Sequence, residues 1–564
     1  MKLFKRLLCL LLICCFFAMT LISCSKDKKD ADNNDSKEET NEDKGNDSTD
    51  NSSGDDTNGG DNEGPTADGS QNNSGDSGEK GTNEFGDVTF ESSIPKEDID
   101  FEGERLTILI RDNIQNTREW TKEAVEDELD EAIAMRNAAV SDTLNVEVVF
   151  DLIPSPDHNT YITELNLRIS SDVDSDLHYY DIGSNFSYYC ASEAIRGYTA
   201  NMLDEAWFPY FNFSLPCWNQ AIVEDTTFND QLFYVAGDIN LSMFDAAMVI
   251  WHNKTLYDAK REPTDPENIQ DIALGGAWTY DLLYRWASVF YEDSNLVEGR
   301  QPDDTYGLCM YVNNPYDPCP VDALPYAWDL NFVITENDGT HTFDLENNEK
   351  AEAALLKFQT LYNAVGTQRD EYECSKTTQH FAAGKYIFFT DRIFWNVDNN
   401  MAIREMEDTY GLLPLPKYNT EQENYGTTSQ DYYNLLMVID HSKSSTLTKG
   451  DAISAYLQLS CEESYTGVRG YYFNRIIKPK FFGTDDSEGT VTKSIALFDI
   501  IIDNIEFDYC TIYSPQLNNV NHLWRAACYG NETLSYGYLA KKDTYEKAIM
   551  ETDAFLGLRA PIEE

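Results

Sequence analysis

The sequence predicts an α/β fold of more than one lobe, preceded by an N-terminal segment of quite different composition. Short runs suited to strands alternate with amphipathic helical patterns from about residue 99 onward. This part of the chain is rich in Tyr, Phe and Trp and continues to residue 564, which is long enough for two or three cores. Residues 25–84, in contrast, contain no aromatic residue.

The first elements of the folded part follow the order β-α-β-α-β. Residues 106–110, 146–150 and 178–182 are short, largely apolar runs of the kind that form buried parallel strands. Between them, apolar residues recur every three or four positions over 125–140 and 161–169, which predicts two amphipathic helices. Connections of this type are almost always right-handed, so the pattern predicts a mostly parallel sheet.

Helical and extended patterns continue to alternate further along the chain. Thr279 is a suitable N-cap for one helix, and residues 351–361 carry one of the clearest apolar stripes. Residues 386–389 and 433–439 are predicted strands, and residues 495–505 are a predicted late helix. The whole alternation indicates α/β architecture in more than one lobe.

The first residues have the features of a secretory signal peptide, which we assign to residues 1–23. Basic residues at the start precede an apolar stretch over residues 7–22. The stretch is followed by Ser23 and Cys24, so that the last four residues read Leu-Ile-Ser-Cys. This ending resembles the bacterial lipobox. The resemblance implies cleavage before Cys24, lipidation of that residue and retention at the extracytoplasmic face of the cell membrane. The alternative is an uncleaved anchor, although a membrane-spanning helix needs about 20 apolar residues.

Residues 24–98 are predicted to be the lipidated Cys and a disordered acidic linker. Asp, Asn, Ser, Gly, Glu and Lys make up nearly all of residues 25–84. Such a segment cannot bury enough apolar surface to offset the entropy of ordering it, and its acidic excess keeps it extended. A stalk is therefore expected, with an acidic cation-binding tail as the alternative.

The charge of the chain excludes some classes of partner. The sequence has 99 acidic and 42 basic residues, giving a formal net charge of -57. Nucleic acid and anionic lipid both require a basic surface, so neither is an expected partner. A neutral or cationic solute is easier to accommodate.

The cysteines after the anchor leave two readings open. Their even number in an exported protein permits disulfides, but no close pair is present and spacing does not give connectivity. Buried free thiols are the other reading, because a domain of this size does not need disulfides for stability. The residues are Cys190, Cys217, Cys309, Cys319, Cys374, Cys461, Cys510 and Cys528.

Six short stretches in the same order resemble one family. They are Tyr-Asp-Ile-Gly-Ser at 180–184, Pro-Cys-Trp-Asn at 216–219, the run ending in His-Asn-Lys at 247–254, Gly-Ala-Trp-Thr-Tyr-Asp at 276–281, Phe-Ala-Ala-Gly-Lys and its following strand at 381–391, and the Gly-x-x-Pro-x-Pro region at 410–416. Together with the lipobox and stalk, they resemble the extracellular solute-binding proteins of ABC importers, of the sugar type related to maltose-binding protein. Cys217 departs from the usual aromatic residue of that pattern.

The resemblance implies a two-lobed periplasmic-binding-protein-like fold with a hinge and a ligand cleft between the lobes. By the order of segments, residues 99–240 are the N-terminal part of the first lobe and residues 241–425 are the second lobe. Residues 426–564 are expected to return to the first lobe and to pack across both.

Sugar chemistry and the resemblance together select the ligand-binding candidates. Sugars present C–H faces that lie flat on aromatic rings, and hydroxyl pairs that carboxylate or guanidinium groups can contact. Trp395 is the preferred aromatic platform because it follows a predicted strand and an Asp-Arg pair. For each Trp the alternative is a place in the core. The candidates are Ser184, Asn185, Trp218, Asp245, Trp278, Asp391, Arg392, Trp395, Asp431 and Tyr432.

The implied function is capture of a solute, most simply a carbohydrate, and its delivery to ABC permease subunits. No catalytic residue, cofactor or metal is expected. The protein is expected to be a monomer that is held to the membrane only by its lipid. The alternatives are an exported carbohydrate-active enzyme and a surface adhesin. The sequence has no HExxH or Gly-x-Ser-x-Gly motif, and residues 336–339 resemble only the front of a calcium loop, so a turn is expected there.

Replacing Cys24 with Ser should abolish lipidation, because the thiol is the acceptor of the acyl chain. Metabolic labelling with a radioactive fatty acid measures this directly, and replacement of another signal-peptide cysteine, Cys14→Ser, is the matched control. Label retained in Cys24→Ser would contradict the lipoprotein assignment.

Overall fold

The computed structural model describes residues 89–120, 128–154, 157–173, 178–294, 296–297, 300–302, 304–310, 320–369, 374–393, 402–431, 433–441, 449–478, 489–530 and 532–560. The signal peptide, Cys24 and most of the linker lie outside these residues, as do Trp395 and Tyr432. Among the described residues, no helix has the length and apolar character needed to cross a bilayer.

Strands and helices alternate through the described part of the chain. The strands are β1 (Glu104–Asp112), β2 (Val146–Pro154), β3 (Ile182–Phe186), β4 (Met248–Asn253), β5 (Tyr291–Glu292), β6 (Thr305–Cys309), β7 (Val333–Thr335), β8 (His341–Phe343), β9 (Thr367–Gln368), β10 (Tyr386–Arg392), β11 (Tyr410–Leu413) and β12 (Asn434–Val438). The α/β class predicted from the sequence is confirmed.

The helices lie between and after these strands. They are α1 (Ile114–Trp120), α2 (Glu128–Leu144), α3 (His158–Val173), α4 (Ser187–Ile195), α5 (Gln220–Thr226), α6 (Leu241–Asp245), α7 (Lys254–Lys260), α8 (Ile269–Leu274), α9 (Tyr280–Val289), α10 (Leu324–Ala327), α11 (Glu349–Tyr362), α12 (Cys374–Ala382), α13 (Gly450–Glu463), α14 (Thr490–Asp503), α15 (Tyr509–Ile512), α16 (His522–Tyr529), α17 (Leu534–Leu539) and α18 (Lys542–Phe555). Short 3-10 helices span Pro320–Ala323 and Ala402–Glu405, and π-helical turns span Ser464–Arg469 and Tyr472–Ile477.

The strands form two main sheets. The first has the order β12-β3-β1-β2, in which β1 is parallel to β2 and β3 while β12 is antiparallel to β3. The second has the order β11-β4-β10-β6-β5, and β4 runs antiparallel to both β10 and β11. Strand β9 pairs with β6, and β7 with β8 forms a separate hairpin.

Local sequence explains where several of these helices begin and which face they bury. The side chain of Asn348 accepts a hydrogen bond from the backbone N–H of Ala351 and so caps α11. Asn253 caps α7 in the same way, through the N–H of Leu256. The apolar stripe predicted for residues 351–361 is confirmed, because all five of its apolar side chains are buried on one face of α11.

The third strand lies later in the chain than its predicted position at residues 178–182. Strand β3 begins at Ile182, which pairs with Ile108 of β1, and it ends at Phe186. His178 has a φ of 43°, a left-handed conformation that no strand residue adopts. The aromatic and apolar residues before Ile182 resemble a strand in composition, but they are not part of β3, and the backbone of Asp181 alone is hydrogen-bonded to both Thr107 and Ile439.

The chain passes between the two sheets three times. The first crossing lies between β3 and β4 and the second between β11 and β12, since these strand pairs are consecutive in sequence but belong to different sheets. The third follows α13, which packs on α2 beside the first sheet, and precedes α14, which packs on β11 and α8 beside the second. These crossings bring polar side chains from both layers together.

The cysteines whose side chains are described are free thiols. Each of the six lies in the interior, which supports the reading as buried thiols over the disulfide reading for these positions. They are Cys190, Cys217, Cys309, Cys461, Cys510 and Cys528.

Replacing Gly237 with Ala should destabilise the fold by about 1–3 kcal/mol, the usual result of overpacking. A Cβ at this position would lie 2.7 Å from the Cys217 carbonyl oxygen and 2.7 Å from the Cys461 sulfur. Denaturant unfolding measures the change. Gly467→Ala is the matched control, because a Cβ there meets no atom within 4 Å. Equal stability of the two variants would contradict the close packing at Gly237.

Candidate functional site

In each sheet, one set of strand ends adjoins the segments that cross between the sheets. We call this end of each sheet its inner edge. Asn434, the first residue of β12, pairs with Phe186 at the carboxyl end of β3. On the other sheet, Arg392 at the carboxyl end of β10 pairs with Met248, the first residue of β4. Ligands of α/β proteins commonly bind outside the carboxyl ends of the strands. The crossings therefore lie where a ligand site is expected.

Asp245 occupies the centre of this region, at the end of α6 in the first crossing. Its Oδ2 atom lies 3.3 Å from a terminal guanidinium nitrogen of Arg118 in α1. Its Oδ1 atom accepts a hydrogen bond from the hydroxyl of Tyr472 in the third crossing. The carboxylate is buried, so these two partners replace the water that it loses. One acidic side chain thus joins three separate parts of the chain.

Glu119 forms a second buried polar group beside Asp245. Its Oε1 atom accepts from the backbone N–H of Ser242 at 2.6 Å, and its Oε2 atom accepts from Asn434 Nδ2 at 2.5 Å. The Ser242 hydroxyl also accepts from the backbone N–H of Asn434 at 3.0 Å. This network connects α1, α6 and the start of β12.

Both carboxyl groups titrate close to neutral pH. Burial raises the pKa of Glu119 to about 7, against the lowering effect of its hydrogen bonds from Asn434 and Ser242. Burial likewise raises the pKa of Asp245 to about 6, against the lowering effect of the Arg118 charge. Raised pKa values of this kind are common at functional sites, although buried structural networks produce them too.

A second charged pair lies at the inner edge of the second sheet. The Arg392 backbone N–H donates to Asp391 Oδ1 at 2.7 Å, and its Nε atom lies 3.6 Å from the same oxygen. The Arg392 guanidinium also donates to Oε1 of Gln430 in the second crossing. Gln430 is itself fixed by its backbone N–H, which donates to the Ala246 carbonyl at 2.9 Å. The predicted pair Asp391 and Arg392 therefore belongs to the crossing region.

The first sheet contributes further polar groups near its inner edge. Ser184 accepts from Trp120 Nε1 at 2.9 Å, and Asn185 Oδ1 accepts from the Tyr161 hydroxyl. Asn116, in α1, is fully buried, and its side-chain amide has no hydrogen-bond partner among the described residues. An unsatisfied buried amide costs about 1–3 kcal/mol, so Asn116 is suited to receive a ligand or a water molecule.

Asp431 also lies in the second crossing, where its carbonyl accepts from the Ser187 hydroxyl at 3.0 Å. It lines a cavity of about 50 Å³ together with Gln430, Tyr326 and Arg525. Ligand pockets for drug-sized molecules measure about 300–1,000 Å³, so this space admits water but no sugar.

Trp218 and Trp278 are core residues here, in contrast to the platform role considered for them. Trp218 is 1 % exposed, donates to Gln458 Oε1 at 2.9 Å and contacts the ring of Phe213 at 5.1 Å between centroids. Trp278 is 0 % exposed and donates to the Pro414 carbonyl at 2.9 Å. Each indole satisfies its only donor inside the protein and has no face left for a sugar.

Several residues of this region were not predicted from the sequence, namely Asn116, Arg118, Glu119, Gln430 and Tyr472. Arg118 and Glu119 lie in α1, and polar residues soon after the buried strand β1 were a usable signal, since strand ends carry function in α/β folds. Tyr472 gave no signal, because it is one of 34 tyrosines and its contact with Asp245 depends on the third crossing.

Several solved structures are similar to this chain at low identity. The sugar-binding protein MalE from Xanthomonas citri is 11 % identical with a TM-score of 0.49, over 80 % of this chain and 97 % of that one. The GacH receptor of Streptomyces glaucescens, solved unliganded and with acarbose, is 12 % identical with a TM-score of 0.48, over 79 % and 98 %. The maltose/maltodextrin-binding domain MalE from Bdellovibrio bacteriovorus, bound to maltotriose, is 11 % identical with a TM-score of 0.47, over 79 % and 99 %.

No protein-family model matches the sequence, and no curated protein matches it. Each TM-score given above lies below 0.5. The function proposed for this chain therefore rests on its own residues.

Replacing Glu119 with Gln should flatten the pH dependence of stability. The native carboxyl, with a pKa of about 7, binds a proton more tightly than the unfolded one at 4.5. Its contribution to stability is therefore complete below pH 4.5 and is lost as the pH rises through 7. Between pH 5 and 7.5 the variant should gain about 2 kcal/mol relative to the wild type.

Denaturant unfolding at a series of pH values measures this difference. The Gln amide can still pair with Asn434, whose unpaired Oδ1 atom becomes its acceptor after rotation of the Asn amide. Asp142→Asn, on the exposed face of α2, is the control and should keep the wild-type profile. A constant difference between Glu119→Gln and the wild type across this range would show that Glu119 does not titrate there.

Proposed function

We propose that this chain is the solute-binding lipoprotein of an ABC importer and that its solute is a carbohydrate. The supporting observation is that Asp245, in the first crossing, pairs both with Arg118 of α1 beside the first sheet and with Tyr472 of the third crossing. Crossings between two α/β layers act as a hinge when the layers move. Polar side chains at such a hinge can hold a solute between the layers.

The first lobe in this proposal comprises residues 99–240 and the second comprises residues 241–425. Residues 426–564 return to the first lobe and pack across both. When the lobes separate, the contacts of Arg392 with Gln430 and of Asp245 with Tyr472 open. The freed guanidinium and carboxylate groups then contact pairs of sugar hydroxyls through charge-assisted hydrogen bonds.

The carbohydrate class follows from the kind of groups at the crossings. Asp245 and Arg392 offer an acceptor pair and a donor fork, and Asn116 offers both functions in one side chain. Tyr472 adds an aromatic ring next to its hydroxyl, and Trp395 is the proposed stacking platform after β10. Alternating hydroxyls and apolar C–H faces are the ligand surface that this combination fits.

The N-terminal features supply the rest of the proposal. Cys24 is the lipid anchor, and the acidic linker holds the two lobes away from the membrane surface. The last residues of the predicted linker are packed on the fold instead, since Ile94 is buried and the N–H and hydroxyl of Ser93 donate to Glu462 of α13. Permease subunits in the same membrane then receive the solute from the closed protein. The work of the chain is capture, closure and delivery.

Replacing Arg392 with Gln should weaken carbohydrate binding about 10- to 100-fold, since one hydrogen bond to a charged group contributes about 1.5–3 kcal/mol. A thermal-shift screen over a panel of mono- and oligosaccharides first identifies a ligand, because a ligand that binds only the native state raises the melting temperature. Calorimetric titration then compares the variant with Arg196→Gln, whose guanidinium lies on the exposed surface of the first layer.

Small-angle scattering of the same samples tests closure, since ligand should reduce the radius of gyration. An Arg392→Gln variant with wild-type affinity and a folded spectrum would remove the second sheet from the proposed site. No ligand in a broad sugar panel, with binding of a peptide instead, would overturn the carbohydrate class while keeping the solute-binding class.

A further inference from the structure

Three side chains that commonly bind metals meet at the outer edge of the first sheet. Asp172 lies near the end of α3, His178 precedes β3, and His441 follows β12. One ligand atom from each lies within 4.8 Å of the other two. The sequence did not predict this site, because Asp172 and His441 are 269 positions apart.

The carboxylate of this trio is held in place by the backbone. Asp172 Oδ1 accepts from the N–H of Tyr179 at 2.5 Å, and Oδ2 accepts from the N–H of Tyr180 at 3.1 Å. Asp172 is 2 % exposed and His441 is 6 % exposed. Orientation of a ligand by a second set of hydrogen bonds is the usual construction of a metal site.

One of the three ligand-to-ligand distances fits a four-coordinate ion. Ligand atoms about 2.0–2.2 Å from a tetrahedral zinc ion lie about 3.3–3.6 Å from each other. Asp172 Oδ2 and His441 Nε2 are 3.3 Å apart. The rings of His178 and His441 have centroids 4.2 Å apart and planes at 37°, and one nitrogen of His178 lies within 4.8 Å of the ligand atoms of Asp172 and His441.

We infer that Asp172, His178 and His441 form a zinc-binding site, with a water molecule as the fourth ligand. Two imidazoles and one carboxylate suit zinc, whereas magnesium and calcium prefer oxygen ligands alone. A cavity of about 350 Å³, lined in part by Asp440 and Thr199, adjoins one member of the trio, His441.

The position of the site indicates a structural role. Strand β12 runs antiparallel to β3, so His441 follows the carboxyl end of β12 next to the amino end of β3. Phe186 and Asn434, which lie next to the crossings, are at the other end of the same two strands. A bound ion would tie α3, β3 and β12 together without touching the proposed solute, and the inference does not depend on the proposed function.

Zinc binding can be tested by thermal unfolding of the wild-type protein in 100 µM ZnCl2, in 100 µM MgCl2 and in EDTA. We expect zinc alone to raise the melting temperature by several degrees, because it binds only the folded chain. The double variant His178→Gln/His441→Gln should lose this rise. His380→Gln, a histidine of α12 beside the second sheet, is the matched control and should retain it.

Equilibrium dialysis and cobalt substitution of the wild-type protein give readouts that do not depend on a folded variant. One zinc ion per chain, and a cobalt complex with the strong visible absorption of tetrahedral coordination that zinc displaces, would support the site. No saturable binding at 100 µM would mean that the trio is only a hydrogen-bonded contact, and the inference would fail. A zinc-induced rise that persists in the double variant would place the ion elsewhere and would also overturn it.

Discussion

The arrangement of this protein depends on a buried acid, Asp245, that must be paired where the chain crosses between its two sheets. Removing a carboxylate from water costs several kcal/mol unless charge and hydrogen bonds compensate for it. Arg118 and Tyr472 supply both, and they come from opposite ends of the sequence. The pairing therefore connects α1, the first crossing and the third crossing, and through them the ends of both sheets that face the crossings.

Much of the fold was predictable because its elements have local patterns. The strands β1 and β2 and the helices α2 and α3 were found from the spacing of their apolar residues, which depends only on near neighbours. Strand β3 was misplaced by about four residues, because the left-handed backbone at His178 and the pairing of Ile182 with Ile108 are not encoded in composition. The register of a strand depends on the segment with which it pairs, so it could not be predicted from the sequence of β3 alone.

The site was predictable only where function follows from position on a strand. Asp391 and Arg392 were proposed because they follow a predicted strand, and the structure places them at the end of β10. Their role in ligand binding, like that of Asp245, stays a prediction. The two tryptophans were less predictable, since an indole at an element boundary can face either a cleft or the core. Gln458 and Pro414, distant in sequence, decide this by accepting the two ring N–H groups.

The contacts at the crossings also have a consequence for selectivity in the proposed function. In the structure, Asp245 and Arg392 are already paired with protein groups, so a solute must offer better partners than Tyr472 and Gln430 do. The apparent affinity is reduced by the fraction of molecules in which these contacts are open. The hydroxyls of a neutral sugar can both donate to a carboxylate and accept from a guanidinium group. An anionic solute must in addition approach a chain of net charge -57, which disfavours its association before any contact forms. Selection for neutral, hydroxyl-rich ligands thus follows from the closed contacts and the overall charge together.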